Sequence, residues 1–288
     1  MPELPEVETM RRGIAPVVGR TIVAVRRPPS PLQPVALAPS LPRLRRRLVG
    51  KRIAAVGRMG KRLLIRMERL EGEEEGILVI EPRMTGRILL GEPDDRKHLR
   101  LVLALEGESP PALSFWDSRG LGAVRLLSAA RLATELGPAR LGPDALGICG
   151  RQLAAGLGRS RRPIKVALLD QRAVAGIGNI YASEILHRCG VHPGTVCHRL
   201  TLRQWQRIAG ATHEVLEEAI RCNGSTLADG AYAGADGRPG GFAKCHRVYQ
   251  RAGELCGGCR RRRIERLVQC GRSSFFCPHC QPRLSGEG

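Results

Sequence analysis

Two pairs of cysteines near the C-terminal end constrain the fold of this sequence more than any other feature. Cys256 and Cys259 form one C-x-x-C pair, Cys277 and Cys280 form a second, and 17 residues separate the two pairs. Pairs at this spacing are typical of a structural zinc site in which two cysteine knuckles flank a short hairpin. The sequence therefore predicts one structural Zn2+ ion per chain, bound by these four thiolates.

The segment between the two cysteine pairs is strongly basic, because it begins RRRRIER and also contains Arg272. A zinc hairpin that carries several arginines is typical of a nucleic-acid-binding finger. His279 lies inside the second knuckle and is expected to be a bystander. The remaining cysteines lack ligand spacing and are expected to be ordinary thiols: Cys149, Cys189, Cys197, Cys222, Cys245 and Cys270.

The net charge of the 288-residue chain is +20, from 47 Lys and Arg residues against 27 acidic ones. An excess of this size predicts a polyanionic partner, either nucleic acid or an anionic membrane surface. The sequence has no run of about 18 apolar residues that would span a bilayer. Its first residues are acidic where a secretory signal would be basic and then apolar. We therefore expect a cytoplasmic protein with reduced thiols.

Arginine dominates the basic residues, with 42 arginines and only five lysines. Arginine binds phosphate bidentately, whereas lysine supplies a primary amine whose pKa can shift for proton transfer. The few lysines are therefore candidates for chemistry: Lys51, Lys61, Lys97, Lys165 and Lys244.

Local patterns predict three segments that together give an α+β fold. Residues 1–130 are expected to form a β-sandwich domain with a helix over residues 3–13. Residues 131–243 are expected to form a helical domain, and residues 244–288 the zinc finger with its β-hairpin. The first segment contains short β-like runs between Gly, Pro and acidic turns, which is typical of a sandwich or barrel: TIVAVRR, RIAAVGR, RLLIRME, GILVIE, HLRLVLAL, ALSFWD and AVRLL.

Residues 43–66 hold ten Lys or Arg residues and no acidic residue. We interpret this stretch, which lies along strand-like segments, as a face that follows phosphate groups. The alternative is a merely solvated surface.

The second segment predicts helices over residues 146–157, 163–172, 179–189 and 201–221. The AVAGIGN turn between two of them gives a helix–two-turn–helix motif, in which Asn179 is a preferred N-cap. A helix N-terminus with free N–H groups suits a phosphate. Residues 222–241 are rich in glycine and predict a mobile loop, either an insertion without function or a lid over a ligand.

The opening MPELPEVE places Pro2 directly behind the initiator methionine. If Met1 is removed, Pro2 carries a free secondary amine that can attack carbon. Glu3 and Glu6 lie three residues apart and share one helix face beside that amine. The alternative is an ordinary helix start, since Pro and Glu are both favoured in a first turn.

MPELPEVE, GNIYASE and the four-cysteine finger, in this order, closely resemble bacterial formamidopyrimidine-DNA glycosylases, nearly end to end. The resemblance implies a monomeric, nucleoid-associated base excision repair enzyme that acts on double-stranded DNA containing oxidised bases or abasic sites. It implies removal of oxidised purines such as 8-oxoguanine and formamidopyrimidines, followed by strand cleavage through β,δ-elimination. A sister branch that prefers oxidised pyrimidines starts with PEGPE instead.

The resemblance also implies roles for individual residues. Pro2 would be the Schiff-base nucleophile, Glu3 the proton donor to the opening sugar, and Glu6 a supporting carboxylate. The other implied catalytic residues are Lys61, a strand lysine that binds phosphate and assists β-elimination, and Arg272, a finger arginine that assists δ-elimination. The implied DNA-binding residues are His98, Arg161, Asn179 and Lys165, the last near the flipped nucleotide.

Flipping a nucleotide out of the duplex leaves a gap that side chains must fill. Met84 in PRMTGR and Arg119 in DSRGLG match the family's wedge methionine and the arginine that faces the orphaned base. The family usually reads DPRRFG, so Leu121 stands where a Phe wedge is expected and Gly120 where a second Arg is expected. Glu81 stands where a His is common, three residues before the wedge. We therefore expect weaker lesion search or an altered opposite-base preference.

Three functions remain open at this point. The first is the bifunctional purine-lesion glycosylase and abasic-site lyase, which the PELPEVE opening favours. The second is an endonuclease VIII-like glycosylase for oxidised pyrimidines. The third is a non-catalytic DNA-binding protein that retains the fold, which the altered wedge alone supports.

Overall fold

The computed structural model describes residues 2–69, 75–108 and 111–283. Their contacts divide the chain into two compact units. Unit 1 comprises Met1–Gly137 and Cys222–Ala243, and unit 2 comprises Pro138–Arg221 and Lys244–Gly288.

Unit 1 begins with helix α1, Leu4–Gly13, which confirms the predicted helix. Pro5 lies in its first turn, and Arg11 and Arg12 lie in its last turn, where cations suit the helix dipole. Leu4, Val7 and Met10 recur on one face and are fully buried. The apolar face therefore fixes α1 against the core of unit 1.

Two sheets follow α1. The first has the strand order β2-β9-β5-β4-β3 and the second the order β1-β7-β8-β6. One apolar core contains buried residues of both, for example Ile65 of β4 and Phe115 of β8. The predicted sandwich is therefore confirmed. The strands are β1 Ile22–Arg26, β2 Ala36–Ala38, β3 Ile53–Met59, β4 Arg62–Met67, β5 Ile77–Glu81, β6 Gly86–Leu90, β7 Leu99–Leu105, β8 Ala112–Asp117 and β9 Ala123–Leu127.

All seven predicted β-like runs contain a strand, whereas β2 and β6 were not predicted. Two helices of unit 1 were also not predicted, α2 (Leu41–Leu48) and α3 (Ala129–Leu136). The basic stretch 43–66 is therefore not wholly strand, and its first residues are helical. These residues form helix α2 because Leu44 and Leu48 lie one helical turn apart and are both fully buried.

The glycine-rich segment 222–241 belongs to unit 1 and not to the helical segment in which the sequence placed it. Tyr232 and Ala235 lie in the core of unit 1. The Leu90 N–H donates to the Ala235 carbonyl at 3.0 Å, and the Arg87 side chain donates to the Ala231 carbonyl at 3.0 Å. The segment is thus anchored to β6 by its own backbone carbonyls.

Unit 2 contains four α-helices within its described residues: α4 Gly150–Leu157, α5 Ile164–Leu168, α6 Asn179–Cys189 and α7 Leu202–Arg221. Helices α6 and α7 match their predicted ranges to within one residue. Helix α4 begins four residues later than predicted, because the Cys149 N–H donates to the Gln152 side chain at 2.9 Å and caps the helix there. Helix α5 ends four residues early, where Asp170 accepts the Arg172 N–H at 3.0 Å and starts a turn.

The predicted hairpin between the cysteine pairs is present as β10, Glu265–Gln269, and β11, Arg272–Phe276. The strands pair from Glu265 opposite Phe276 to Gln269 opposite Arg272, so Cys270 and Gly271 form a two-residue turn. Both turn residues have positive φ, 47° and 73°, as a type I′ hairpin turn requires. Among the described residues, no helix has the length and apolar character needed to cross a membrane.

Candidate active site and nucleic-acid interface

The N-terminal end of α1 holds three of the predicted catalytic residues. Pro2 is buried, and the side chains of Glu3 and Glu6 are only 1% exposed. The Glu3 N–H donates to Glu6 Oε2 at 2.8 Å as part of a reciprocal capping box. Glu6 Oε1 accepts the N–H of Ser225 at 2.8 Å. Glu6 therefore uses both carboxylate oxygens to join the start of the helix to the glycine-rich segment.

The glycine next to Ser225 allows this contact. Gly224 has φ +77°, and a Cβ added there would lie 3.0 Å from Glu6 Oε1. A side chain at this position would therefore strain the backbone and crowd the carboxylate at once.

Glu8, one turn further along α1, fixes the helix to strand β3. Its carboxylate accepts hydrogen bonds from Arg11 at 2.8 Å and Arg12 at 2.9 Å, and Arg58 of β3 donates to it at 3.2 Å. Burial alone would raise the pKa of Glu8, but the bonds from Arg11 and Arg12 and the charge of Arg58 outweigh burial and lower the pKa to about 2. Glu8 is therefore ionised at neutral pH.

Lys61 is half-buried in the turn Gly60–Lys61 that joins β3 to β4, not within a strand as the resemblance implied. Met59 pairs with Arg62 across this two-residue turn, and Gly60 has φ +56°. The tight turn holds the lysine at the end of the hairpin, where the amine is carried by rigid backbone.

The buried carboxylate of Asp117, at the end of β8, organises the loops that carry the predicted wedge residues. Its Oδ1 accepts the hydroxyl of Thr85 at 2.5 Å and the N–H of Arg119 at 3.2 Å. Its Oδ2 accepts the N–H of Gly122 at 2.8 Å. One carboxylate thus fixes both the loop that contains Met84 and the loop from residue 119 to residue 122.

Met84 and Leu121, carried by these two loops, are among the few large apolar side chains that are exposed, 36% and 43% respectively. Arg119 is also exposed. Met84 lies in the turn between β5 and β6. A side chain that inserts into a base stack must be apolar and exposed, and the loop that carries it must be held in place, as the Asp117 hydrogen bonds hold these loops.

Two of the three departures from the family pattern, Gly120 and Glu81, have structural explanations. Gly120 has φ +65°, and a Cβ there would lie 2.5 Å from the Gln33 carbonyl oxygen, so the local backbone excludes an arginine. The Glu81 carboxylate pairs with Arg125 at 2.6 Å, Arg62 at 3.2 Å and Arg83 at 3.7 Å. Burial opposes ionisation of Glu81, but these arginines lower its pKa below the ordinary value.

His98 and Arg161 have few contacts that would define a role. The His98 ring packs edge-to-face on Trp116, with centroids 5.1 Å apart, and its Nε2 lies 4.0 Å from Asp95. Arg161 is exposed just before α5.

Lys165 is buried inside unit 2, with 1% exposure, and its ammonium has three protein acceptors. Nζ donates to Asn179 Oδ1 at 2.7 Å, to the Ser273 carbonyl at 2.8 Å and to Ser274 Oγ at 2.8 Å. An ammonium has three N–H donors, so these bonds use all of them. Lys165 therefore ties α5, the start of α6 and strand β11 together.

Asn179 is the first residue of α6, and Gly178 is the N-cap. The prediction that Asn179 caps the helix is therefore wrong. Its side-chain oxygen is directed to Lys165 instead. Arg272 is exposed at the first position of β11, directly before Ser273, one of the Lys165 acceptors.

Glu184 of α6 holds the chain that leads into the finger. Its buried carboxylate accepts the N–H groups of Arg247, Val248 and Tyr249 at 2.9, 3.0 and 2.8 Å. Burial raises the pKa of Glu184, and the three N–H donors act against that rise. The segment before the finger is thus hydrogen-bonded to the side of α6.

The four predicted zinc ligands cluster as a metal site requires. The Sγ atoms of Cys256, Cys259, Cys277 and Cys280 all lie within 4.8 Å of one another. Cys256 Sγ lies 3.9 Å from Cys280 Sγ, and Cys259 Sγ lies 3.6 Å from Cys277 Sγ. A tetrahedral ion with metal–sulfur bonds of about 2.3 Å requires sulfurs about 3.8 Å apart, so the four cysteines fit such an ion.

Two further groups approach these sulfurs. The Arg261 N–H donates to Cys259 Sγ at 3.5 Å, and this bond, opposed by burial, lowers the pKa of Cys259 to about 6. His187 of α6 places Nε2 3.5 Å from Cys256 Sγ. Its other ring nitrogen is buried and has no partner among the described residues.

Each unit therefore assembles its own part of the predicted site. Unit 1 carries Pro2, Glu3, Glu6, Lys61, Met84, His98, Arg119 and Leu121, and unit 2 carries Arg161, Lys165, Asn179, Arg272 and the four cysteines. Sequence reasoning did not single out Asp117, Glu184 or His187. The available signals were weak: Asp117 is the first residue of the DSRGLG motif, and Glu184 and His187 lie on the same helix as Asn179.

Two family models match most of the chain. The model of the formamidopyrimidine-DNA glycosylase N-terminal domain matches residues 1–124, and the model of the H2TH domain of the same family matches residues 141–230. Among curated proteins, a formamidopyrimidine-DNA glycosylase of Thermus thermophilus is 43% identical over 297 residues and covers 100% of both chains. One of Solibacter usitatus is 40% identical over 290 residues, covering 98% of this chain and 100% of its own.

Solved structures agree with these matches. The crystal structure of the MutM (Fpg) protein from Thermus thermophilus has a TM-score of 0.82 at 40% identity and covers 98% of this chain and 100% of its own. The Lactococcus lactis Fpg in complex with abasic-site DNA has a TM-score of 0.85 at 29% identity, with the same coverage.

The sheet domain, the helix–two-turn–helix unit and the four-cysteine hairpin together define a DNA glycosylase of DNA repair. More narrowly, the chain belongs to the formamidopyrimidine-DNA glycosylase family. The predicted resemblance is thereby confirmed.

Proposed function

We propose that this chain is a bifunctional glycosylase and abasic-site lyase that removes oxidised purines from double-stranded DNA in the bacterial cytoplasm, acting as a monomer. One observation carries the proposal: Pro2 is buried at the start of α1, directly beside two buried carboxylates whose backbone positions are fixed by a capping box. One relative, the Lactococcus lactis Fpg, has been crystallised with Fapy-dG-containing DNA and with abasic-site DNA, which supports the substrate class.

The first step uses the Pro2 nitrogen as nucleophile once Met1 has been removed. The reference pKa of an α-amino group is about 8, so a useful fraction is unprotonated at neutral pH. The nitrogen lone pair attacks C1′ of the flipped nucleotide, and the glycosidic bond breaks with its electron pair leaving on the base. The proton that the Pro2 nitrogen then releases passes to the departing base. Glu3 donates a proton to the ring oxygen as the sugar opens, and the product is an iminium between Pro2 and C1′.

The second stage cuts the strand. The iminium acidifies the C2′ proton; its removal expels the 3′ phosphate, and a second elimination expels the 5′ phosphate. Lys61 binds phosphate and assists the first elimination, and Arg272 assists the second. Hydrolysis of the remaining imine returns the free amine of Pro2.

The other residues hold the DNA. Met84, Arg119 and Leu121 fill the gap left by the flipped nucleotide, and Asn179, Arg161 and His98 contact the backbone. Glu6 acts as a positioning residue, because both its oxygens accept backbone N–H groups.

The metal that fits the four cysteines is Zn2+, which would hold the finger hairpin and Arg272 in place.

Trapping with borohydride tests this proposal. The protein is incubated with an 8-oxoguanine duplex and sodium borohydride, which reduces the imine to a stable covalent adduct. The matched control is the same chain with a non-removable N-terminal tag, which turns the Pro2 nitrogen into an amide. We expect an adduct with the native terminus only. No adduct with the native chain, or equal trapping with the tagged one, would refute the proposal.

A thymine-glycol duplex, run in parallel, tests a second candidate function, the removal of oxidised pyrimidines. One observation favours this candidate: the Lactococcus lactis relative has also been crystallised with DNA that contains an oxidised pyrimidine. The PELPEVE opening favours purines, so we expect faster trapping on 8-oxoguanine.

A further inference from the structure

Three arginines on the outer face of α2 have no partner among the residues that the structure describes. Arg43, Arg46 and Arg47 are exposed, and within the described residues their guanidinium groups make no hydrogen bond or ion pair. Unit 1 neutralises most of its other arginines with glutamate, as it does for Arg11, Arg12, Arg26, Arg58, Arg62, Arg66, Arg83, Arg96, Arg125 and Arg131. Within the described residues, the three neighbouring arginines of α2 lack such a glutamate partner.

Helix geometry places these three cations side by side. Arg43 lies three residues before Arg46 and four before Arg47, and both spacings bring side chains together on a helix surface. Leu44 and Leu48 are fully buried and fix which face of α2 points outward. Like charges at these spacings destabilise a helix by about 0.2–0.5 kcal/mol per pair, so an anion bound among them would relieve the repulsion.

The arginines line a cavity rather than a flat surface. It has a volume of about 510 Å³, and its wall contains Arg43, Arg46, Arg47, Arg125, Arg131, Glu135 and the apolar residues Ala38, Pro39, Leu126 and Leu127. A second cavity of about 420 Å³ shares Arg46, Arg47 and Leu126 with the first, so the two adjoin. We call the pair the α2 trough.

The one acidic side chain in the first cavity is already occupied. Glu135 accepts a hydrogen bond from Arg131 at 2.9 Å and another from Arg125. It therefore holds these two arginines in position. Glu68, which lines the second cavity, lies 3.7 Å from Arg52, so no described acidic side chain pairs with the three arginines of α2.

We propose that the α2 trough binds a short chain of linked phosphates. A triphosphate carries about four negative charges within a few ångströms, whereas an acidic peptide spreads them at about 3.3 Å per residue. Arginine pairs bidentately with phosphate oxygens, and the apolar floor strengthens such pairs by lowering the local dielectric. Two kinds of molecule carry such linked phosphates, inorganic polyphosphate and a nucleoside triphosphate. This site is separate from the lesion chemistry proposed above.

Calorimetry with inorganic triphosphate at low salt tests the proposal. The variant Arg43→Gln/Arg46→Gln/Arg47→Gln is compared with Arg27→Gln/Arg140→Gln/Arg151→Gln, which removes the same charge from exposed arginines elsewhere. We expect the α2 variant to weaken triphosphate binding at least about tenfold, since charged hydrogen bonds are lost, and the control to change it less than twofold. Equal weakening in both variants, or no binding by the wild type, would overturn the proposal.

Chemical modification of the wild-type protein locates the site without mutation. Phenylglyoxal reacts with exposed arginines, and peptide mass spectrometry reports each modified position. We expect triphosphate to protect Arg46 and Arg47 and to leave Arg140 reactive. A nucleoside triphosphate that protects at lower concentration than inorganic triphosphate identifies the nucleotide as the source, and the reverse order identifies polyphosphate. Protection by a DNA duplex alone would contradict the proposal.

Discussion

The Nζ atom of Lys165 lies 2.7 Å from Oδ1 of Asn179, and the same ammonium donates to the Ser273 carbonyl and the Ser274 hydroxyl on β11. Arg272 directly precedes these serines. One buried lysine therefore sets the distance between the helix N-terminus proposed to bind phosphate and the strand that carries the finger arginine. The geometry favours a positioning role for Lys165 over a direct DNA contact.

Replacing this lysine separates the two roles. Lys165→Met keeps the side-chain volume but leaves one buried and two partly buried acceptors without this donor, so we expect the unfolding free energy to fall by about 2–4 kcal/mol. If Lys165 contacted DNA directly, Lys165→Met would instead lower the slope of log Kd against log salt by about one, the contribution of one phosphate contact, and would leave stability unchanged. Thermal unfolding and the slope of log Kd against log salt measure the two effects. Lys97→Met, an exposed lysine of unit 1, is the matched control.

The bonds of the Asp117 carboxylate predict a defect in one step of the reaction. Asp117→Asn retains only one acceptor oxygen and must lose either the Gly122 N–H or the bonds to Thr85 and Arg119. The loops bearing Met84 and Leu121 would then loosen. We expect base excision from a lesion duplex to slow by about tenfold, a barrier increase of about 1.4 kcal/mol.

Cleavage of a duplex that already contains an abasic site should fall much less in Asp117→Asn, because no base has to be displaced. Single-turnover rates on the two substrates measure the ratio. Thr85→Val, which removes one of the three donors, should show a smaller effect in the same direction. Equal slowing on both substrates would show that Asp117 supports the whole unit rather than the wedge.

Local spacing predicted those parts of this protein that local interactions determine. The cysteine pairs, helix α1 and seven strands follow from patterns a few residues long. The position of Ser225 does not, because Glu6 binds it from 219 residues away. Helix α2 was missed because its arginines were interpreted as a strand surface, although Leu44 and Leu48 have helical spacing. The role of Asp117 depends on two loops meeting, which no linear pattern contains.

The ion pairs of Glu81 predict how a glutamate, in place of the histidine common in the family, affects DNA binding. Its carboxylate pairs with three arginines, and Glu81→Gln would release Arg62 and Arg83 to attract phosphate, while Arg125 stays paired with Glu135. We expect affinity for undamaged duplex to rise about threefold to tenfold at low salt, with a steeper salt dependence. Fluorescence anisotropy measures both. Glu92→Gln, which releases Arg26 and Arg96, is the matched control, and an equal gain there would show that only net charge matters.

The low pKa of Glu8 predicts a specific acid sensitivity. Its folded-state pKa of about 2 lies below the ordinary 4.5, so its stabilising contribution is fully present above pH 4.5 and disappears as the pH falls through about 2. A shift of this size corresponds to about 2–4 kcal/mol. We expect Glu8→Gln to be less stable than wild type at pH 6, with the difference closing towards pH 2. Urea unfolding across this range measures it, and a constant difference would contradict the assignment.

The contact between His187 and Cys256 predicts how tightly the finger holds its metal. The Nε2–H of a neutral imidazole can donate to the Cys256 sulfur 3.5 Å away. Outer hydrogen bonds of this kind are worth about 10–100-fold in metal affinity. We expect His187→Leu to lose zinc to a colorimetric chelator at least about tenfold faster than wild type.

His187→Gln, whose Nε2 can still donate, should retain most of the affinity, and His279→Gln should behave as wild type. Substitution with Co2+ reports the bond directly, because a thiolate that loses a donor shifts its charge-transfer band to lower energy. Since metal binding to such fingers is coupled to their folding, chelation should also abolish DNA binding while the sheet domain keeps its circular dichroism. Equal zinc loss from the Leu and Gln variants would mean that His187 only fills space beside the ligand.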